Sequence, residues 1–336
     1  MHPLPEYPRP SLRRDSYLNL NGLWDYAITR SPEFPARWDG SILVPYSPEA
    51  RASGVSRTLQ PGQWLHYHRT FTPPAGEGGR VLLHFGAVDY VCAVEVNGRL
   101  AGGHRGGYWP FTLDITDLLR PQGHNTLWVA VQDPTGAGTQ ARGKQTLTPD
   151  YDARTVTVRV HTTKPGGAVN VWAAVRAGGV TIAEDWGSDE ADQDGEVTLN
   201  ISEEHFFPWS PDSPFLYDLT VGTTQGEEEG FDTVHSYFAL RKWECREDGR
   251  GVKRFFLNGK PILLNGLLDQ GYWPEGLYTP PSDGAVEHEL HTVRELGFNL
   301  LRKHAKIEPE RWYYHCDKLG IIVWQDMVNG GGAYPM

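Results

Sequence analysis

Apolar and polar residues alternate along the first two thirds of the chain. Between residues 18 and 134, short runs such as LWDYAI, VLLHFG, YVCAVEVNG and TLWVAVQD follow a period of two and are separated by Gly, Pro, Asn and Asp. Period two sends successive side chains to opposite faces of a strand. The stretch therefore predicts an all-β unit, a β-sandwich or jelly roll, with Asn97-Gly98 as a hairpin turn. From residue 155 to about 245 a second set alternates: VTVRV, AVNVWAAV, EVTLNI, LYDLTV and VHSYFAL. Its short strands and turn spacing suit a small immunoglobulin-like sandwich. Between the two, residues 136–145 (GAGTQARGKQ) read as a Gly-rich, basic connector.

The period changes after residue 255. Residues 261–268 (PILLNGLL) read as a buried strand opened by the Asn258-Gly259 turn. Residues 282–296 read as a helix: Val286, Leu290, Val293 and Leu296 fall on one face, Ser282 or Asp283 caps its start, and Gly297 ends it. Residues 298–302 follow as a second strand. The next helix has Pro309 in its first turn, Trp312, Tyr313, Cys316 and Leu319 facing inward, and Gly320 past its end; residues 321–324 close the series as a third strand.

Strand, helix, strand, helix, strand opens either a parallel sheet or a (β/α) barrel, and both folds place ligands at the carboxyl ends of their strands. That rule selects Asp269 and Gln270 after the first strand, Arg302, Lys303 and His304 at the end of the second, and Gln325 and Asp326 after the third.

Charge and motifs narrow the chemistry. A net charge of −11 without a basic patch argues against nucleic acid or an anionic membrane surface as partner. The acid excess at residues 185–194 and 227–229 reads as solvated loops. The opening residues MHPLPEYPRPSLRR lack the apolar core of a signal peptide, and no apolar run is long enough to span a bilayer. Cys92, Cys245 and Cys316 are odd in number and widely spaced, which reads as free thiols in a reducing compartment, and a cytoplasmic protein is expected. His288-Glu289-Leu290-His291 is one residue short of the zinc-protease spacing and reads as a solvated helix surface. His66 and His68 share one side of a strand without further ligands nearby. The glycines at 330–332 have no Lys-Ser/Thr behind them, so no phosphate loop is expected. No cofactor is expected and no metal site is assigned, a divalent or monovalent cation staying open, since carboxylates and glycines in loops are too common to place one.

Residues 297–327, GFNLLRKHAKIEPERWYYHCDKLGIIVWQDM, resemble the start of the catalytic barrel of glycoside hydrolase family 2, the β-galactosidase, β-glucuronidase and β-mannosidase family. Asn299, Arg302, Pro309, Asp317, Gly320 and the apolar residues 321–324 carry the match. Two positions depart from it: His304 comes one residue early after Arg302, and Gln270 stands where many members have a His. Upstream, Asn21-Gly22-x-Trp24, Ser53-Gly54, Phe85-Gly86-Ala87-Val88-Asp89-Tyr90, Gly106-Gly107-Tyr108 and Asp114-Ile115-Thr116-Asp117 resemble the family's sugar-binding domain. Trp209-Ser210-Pro211-Asp212-Ser213-Pro214 and Phe238-Ala239-Leu240-Arg241 resemble its second domain.

The resemblance implies a multidomain chain, β then α/β. It comprises a jelly-roll domain at 1–134, a connector at 135–154 from which a Trp- and Gly-rich family segment is missing, an immunoglobulin-like sandwich at 155–246, and the first three strands of an incomplete TIM (β/α)8 barrel at 247–336. Aromatic residues of the first domain, Trp64, Tyr90, Tyr108 and Trp109, read as core and interface packing. The implied activity is hydrolysis of β-glycosides with retention, β-galactosidase-like, by two glutamates expected beyond Met336; the chain alone is expected to be inactive. Substrate-binding residues are expected at Asp269, Gln270, Arg302, His304, Trp324 and Asp326, with Arg302 and His304 donating to sugar hydroxyls and Trp324 as a stacking wall. The expected partner is a β-linked oligosaccharide or glycoside, and a homo-oligomer stays open. The alternative is a non-catalytic carbohydrate-binding or assembly module.

Overall fold

Eight strands build the first unit of the computed structural model, which describes residues 3–74, 79–107, 110–120, 122–133, 147–161, 169–189, 194–225 and 232–326. They are β1 (Gly22–Thr29), β2 (Gly40–Val44), β3 (Trp64–Phe71), β4 (Leu82–Phe85), β5 (Val91–Val96), β6 (Arg99–Arg105), β7 (Phe111–Asp114) and β8 (Asn125–Gln132). A six-stranded antiparallel sheet in the order β2-β1-β3-β8-β5-β6 carries one layer, and the β4–β7 pair carries the other. Ile42, Phe71, Val94, Leu127 and Val129 pack between them against Leu83 and Ile115. Asn97 and Gly98 both take positive φ, 54° and 74°, as the turn joining β5 to β6 requires.

The second unit is β9 (Leu147–Asp150), β10 (Thr155–His161), β11 (Val169–Ala177), β12 (Val180–Asp189), β13 (Asp194–Asn200), β14 (Tyr217–Gln225) and β15 (Asp232–Phe238). Sheets β13-β10-β9 and β12-β11-β14-β15 close on a core that includes Val156, Val158, Val171, Val175, Leu199 and Leu219. Two expectations change here. Leu147–Asp150, placed in the connector from sequence, pairs with β10 as a strand. Residues 185–189, read as loop, belong to β12, which pairs with β11 and whose acidic and aromatic side chains Glu184, Asp185 and Trp186 face solvent. A polar strand with a wet face has no alternation to betray it. The connector 136–145, Tyr108, Trp109, residues 227–229 and residues 330–332 lie outside the described residues.

A small antiparallel sheet, β16 (Trp243–Glu247), β17 (Lys253–Leu257) and β18 (Lys260–Pro261), leads into the last unit. There β19 (Gly266–Asp269), α1 (Asp283–Glu295), β20 (Leu300–Lys303), α2 (Glu310–Leu319) and β21 (Ile322–Gln325) form a three-stranded sheet, all parallel, in the order β19-β20-β21. The strand expected over 261–268 starts only at Gly266, and its leucines are exposed rather than buried. Ser282 caps α1 by accepting a hydrogen bond from the Ala285 amide, 3.1 Å. Val286, Leu290 and Val293 are buried as the 3.6-residue period requires. Leu296 is not: it is the C-cap, past the last packed turn, and is 66% exposed. Pro309 is the N-cap of α2 rather than a first-turn residue.

Parallel pairing gives the sheet two different faces. Leu301 on one face packs with Val286, Leu290, Trp312 and Cys316 of the two helices. On the other, Leu300 and Ile322 pack on Trp209 and Leu257, so that the second unit and the β16–β18 sheet support the strands from below. The helix end is fixed as well. Gly320 has φ 75°, and a Cβ there would lie 2.3 Å from the Pro211 carbonyl oxygen.

Candidate functional site

Arg302 and Trp324 stand side by side on the sheet face away from the helices, paired in register with each other and, through Arg302, with Leu268. All three are exposed, Trp324 by 51%. Just past β21 the Asp326 amide donates to the Lys303 carbonyl (3.0 Å), and the Asp326 carboxylate takes two bonds from Arg302, 3.2 Å to Nε and 2.9 Å to Nη2. Those hydrogen bonds hold the Asp326 carboxyl below the usual carboxylate range and the Arg302 guanidinium above its ordinary value. Both groups therefore stay ionised and aligned at the carboxyl end of the sheet. Past β20, His304 donates its amide to the Asp269 carbonyl (2.9 Å), and its Nδ1 lies 3.1 Å from Gln270 Nε2.

Asp269 sits differently from the other five expected site residues. It shares the face of Leu267 and Leu301 with Lys303, toward the helices. One carboxylate oxygen accepts from the Gly271 amide (2.6 Å) and the other pairs with Lys303. Lys303, 0% exposed along its side chain, also pairs with Glu308 at 2.8 Å, and its Nζ lies 4.2 Å from the Trp312 ring centroid. Lys306 pairs with the same Glu308 oxygen at 2.9 Å and donates to the carbonyls of Gly271 and Tyr278. Burial pushes the Lys306 amine down from its ordinary value, against the pull of Glu308. Burial also pushes the Glu289 carboxyl up, with Asp269 and Glu308 adding and the two lysines subtracting.

The structure thus brings Arg302, Trp324 and Asp326 together on the exposed face, sets Gln270 with His304 beside them, and holds Asp269 beneath. The residues that the strand-end rule did not weigh are Lys306 and Glu308. Their signal in the sequence is the charges Lys306 and Glu308 directly behind β20, which itself ends on Arg302 and Lys303. Such charges are costly to bury unless each is paired.

Trp324 also closes one wall of an open concavity of about 500 Å³, lined with Phe255, Pro261, Ile262, Leu263 and Arg254. Phe255 meets the indole edge to face, centroids 6.4 Å apart. Among the described residues no group of three or more His, Cys, Asp or Glu side chains is arranged to hold a metal ion, and no helix is long and apolar enough to cross a membrane. His66, buried, meets Thr29 Oγ1 at 2.9 Å and the Ser31 carbonyl at 3.1 Å, and His68 pairs with Asp25; the two make no common site.

Comparison with known proteins bears on the fold. A family described as glycosyl hydrolase 2 galactose-binding domain-like matches residues 53–192. A β-galactosidase of Thermoanaerobacter pseudethanolicus is 23% identical over 288 residues, 75% of this chain and 37% of that protein. A β-galactosidase of Bacteroides ovatus is 26% identical over 87% of this chain and 37% of its own length. A Bifidobacterium dentium β-glucuronidase, solved with coumarin-3-O-glucuronide, superimposes with TM-score 0.75 at 20% identity, over 95% of this chain and 62% of that one. The chain is similar to the N-terminal portion of glycoside hydrolase family 2 proteins. It spans a little over a third of the length of both β-galactosidases. The chain shares with the β-glucuronidase a mostly β, sandwich-type fold with few helices.

Proposed function

We propose that the intact protein is a retaining β-glycosidase, β-galactosidase-like in activity, and that this portion supplies its substrate-binding rim. In this reading residues 1–134 are a jelly roll, 155–246 an immunoglobulin-like sandwich behind the connector at 135–154, and 247–336 the opening strands of a (β/α)8 barrel. The supporting observation is the exposed row of Arg302 and Trp324 with Asp326, at the carboxyl ends of parallel strands where barrels bind ligands. Arg302 and His304 donate to sugar hydroxyls, Asp326 accepts from them, Gln270 can do either, and Trp324 offers its face to the ring. Asp269, locked by Lys303 and the Gly271 amide, fixes the height of the Gln270 turn. Retention needs two carboxyl groups about 5–5.5 Å apart, one to protonate the leaving oxygen and one to attack the anomeric carbon. In a complete family member those glutamates stand on later strands. The three free cysteines fit a reducing, cytoplasmic compartment.

A second reading, a non-catalytic carbohydrate-binding module, draws on the half-exposed cluster of Phe34, Trp38 and His68 on the first sandwich, where Trp38 and His68 stack at 5.2 Å. One experiment separates the two. The protein read from the complete gene is given p-nitrophenyl β-D-galactopyranoside and p-nitrophenyl β-D-glucuronide, and the first sugar released is observed by proton NMR. The β-anomer appearing first supports the proposal. The α-anomer first contradicts retention, and no turnover of either glycoside contradicts the proposal and favours the binding module.

A further inference from the structure

We propose that Tyr272 and Tyr278 form an aromatic platform at this rim, a subsite on which a pyranose ring of the substrate stacks; the inference rests on the glycosidase reading above. The two rings lie 4.5 Å apart between centroids at 31°, and the Tyr272 hydroxyl donates to that of Tyr278 at 2.8 Å. They are nevertheless 60% and 45% exposed, so core packing does not account for them. Exposed aromatic rings are ordinary when their loop is loose, but here the loop is clamped from two sides.

From the sheet side, Lys306 Nζ donates to the Gly271 carbonyl (2.6 Å) and to the Tyr278 carbonyl (2.8 Å), stapling the two ends of the turn that carries the rings. The same amine lies 5.0 Å from the Tyr278 ring centroid. Gly271 takes φ 65°, and a Cβ there would lie 2.3 Å from Glu308 Oε1 and 2.7 Å from Lys306 Nζ, so the backbone rests directly on the buried ion cluster. Trp273 and Leu277 close the turn with reciprocal amide-to-carbonyl bonds of 2.8 and 2.9 Å. From the first sandwich, the Ala52 amide donates to the Glu275 carbonyl (2.9 Å) and the Tyr46 hydroxyl to the Pro281 carbonyl (3.1 Å).

A buried lysine and a neighbouring domain therefore hold two tyrosines in a fixed, solvent-facing position. The turn begins at Gln270, which contacts His304, so the platform is continuous with the polar rim. A sugar ring presents C–H groups on its faces and hydroxyls around its edge. An aromatic face beside paired amide, imidazole and guanidinium–carboxylate groups matches both. The cations of the rim are already neutralised, Arg302 by Asp326 and Lys306 by Glu308, which favours an uncharged ring over a phosphorylated ligand.

The test uses the 336-residue chain and titration calorimetry with methyl β-D-galactopyranoside and methyl β-D-glucuronide, with near-ultraviolet circular dichroism confirming that each variant folds. Tyr272→Ala is expected to weaken binding about tenfold, Tyr272→Phe to keep it within about twofold because the ring remains, and Arg302→Met to weaken it independently. If Arg302→Met weakens binding and Tyr272→Ala does not, the platform is overturned and the rim stands. If Tyr272→Ala weakens binding and Arg302→Met does not, the platform stands and the rim reading falls. If the unaltered chain binds neither glycoside, both are overturned.

Discussion

Lys303 shows how much this site invests in holding a few atoms still. Its ammonium is out of water, and the cost of removing that charge from solvent is offset by Asp269, Glu308 and the face of Trp312. Replacing it by Met would leave the Asp269 carboxylate without its cation, while Glu308 keeps Lys306. Lys303→Met is expected to lower stability by roughly 3–5 kcal/mol in urea titration, and Lys303→Met with Asp269→Asn by clearly less, because the second change removes the stranded charge. Glu289 offers a pH signature of the same cluster. Its folded pKa is raised by burial and by Asp269, so it penalises the folded state above that raised value. The penalty is relieved as pH falls through the folded pKa and is gone below the unfolded value near 4.5. Glu289→Gln, facing Asp269, Lys303, Glu308 and Lys306, is therefore expected to be more stable than the unaltered chain at pH 7. The difference, read from denaturation midpoints across pH, is expected to vanish below about pH 4.5.

Elements whose pattern matches their burial were legible, and the others were not. Helix α1 is the clear case: Ser282, the period of Val286, Leu290 and Val293, and Gly297 mark its start, face and end. Leu290→Ala is expected to cost roughly 2–5 kcal/mol, while Leu296→Ala, at the exposed C-cap, is expected to be near neutral by thermal melting. Strand β12 escaped notice because its burial is shallow on both faces, so polar residues occupy positions that a core would have made apolar. The strand at 261–268 misled for the opposite reason. Its leucines imply burial, yet only residues 266–269 pair with β20, and Leu263 is left at the open concavity. At the site, the strand-end rule found Arg302, His304 and Asp326. It could not show that Asp269 turns toward the helices, since that depends on a register shared with Lys303.

Across the whole molecule the sandwiches act as a frame for the parallel sheet. The Trp209 indole donates to the Asp317 carbonyl (2.7 Å), Arg241 lies 4.5 Å over the Trp209 ring, and Tyr237 donates to the Asp317 carboxylate at 3.2 Å, so the second sandwich grips the last turns of α2. The first sandwich holds the Tyr272–Tyr278 turn, and the N-terminal arm ties Tyr7 and Ser11 to Arg311 and Glu310. Such an arrangement leaves the carboxyl end of the sheet open to solvent, where the proposed function puts the sugar. Its most direct test is kcat/KM on p-nitrophenyl β-D-galactopyranoside and the corresponding β-glucuronide for the complete gene product and its Asp326→Asn variant. Asp326 is bonded to Arg302 at the surface end of the sheet, so the fold is expected to survive the change. A fall of about ten- to a hundredfold, the loss expected for a charged hydrogen bond to substrate, is the predicted result. Unchanged kcat/KM on whichever glycoside is turned over would contradict the assignment of this rim to the substrate.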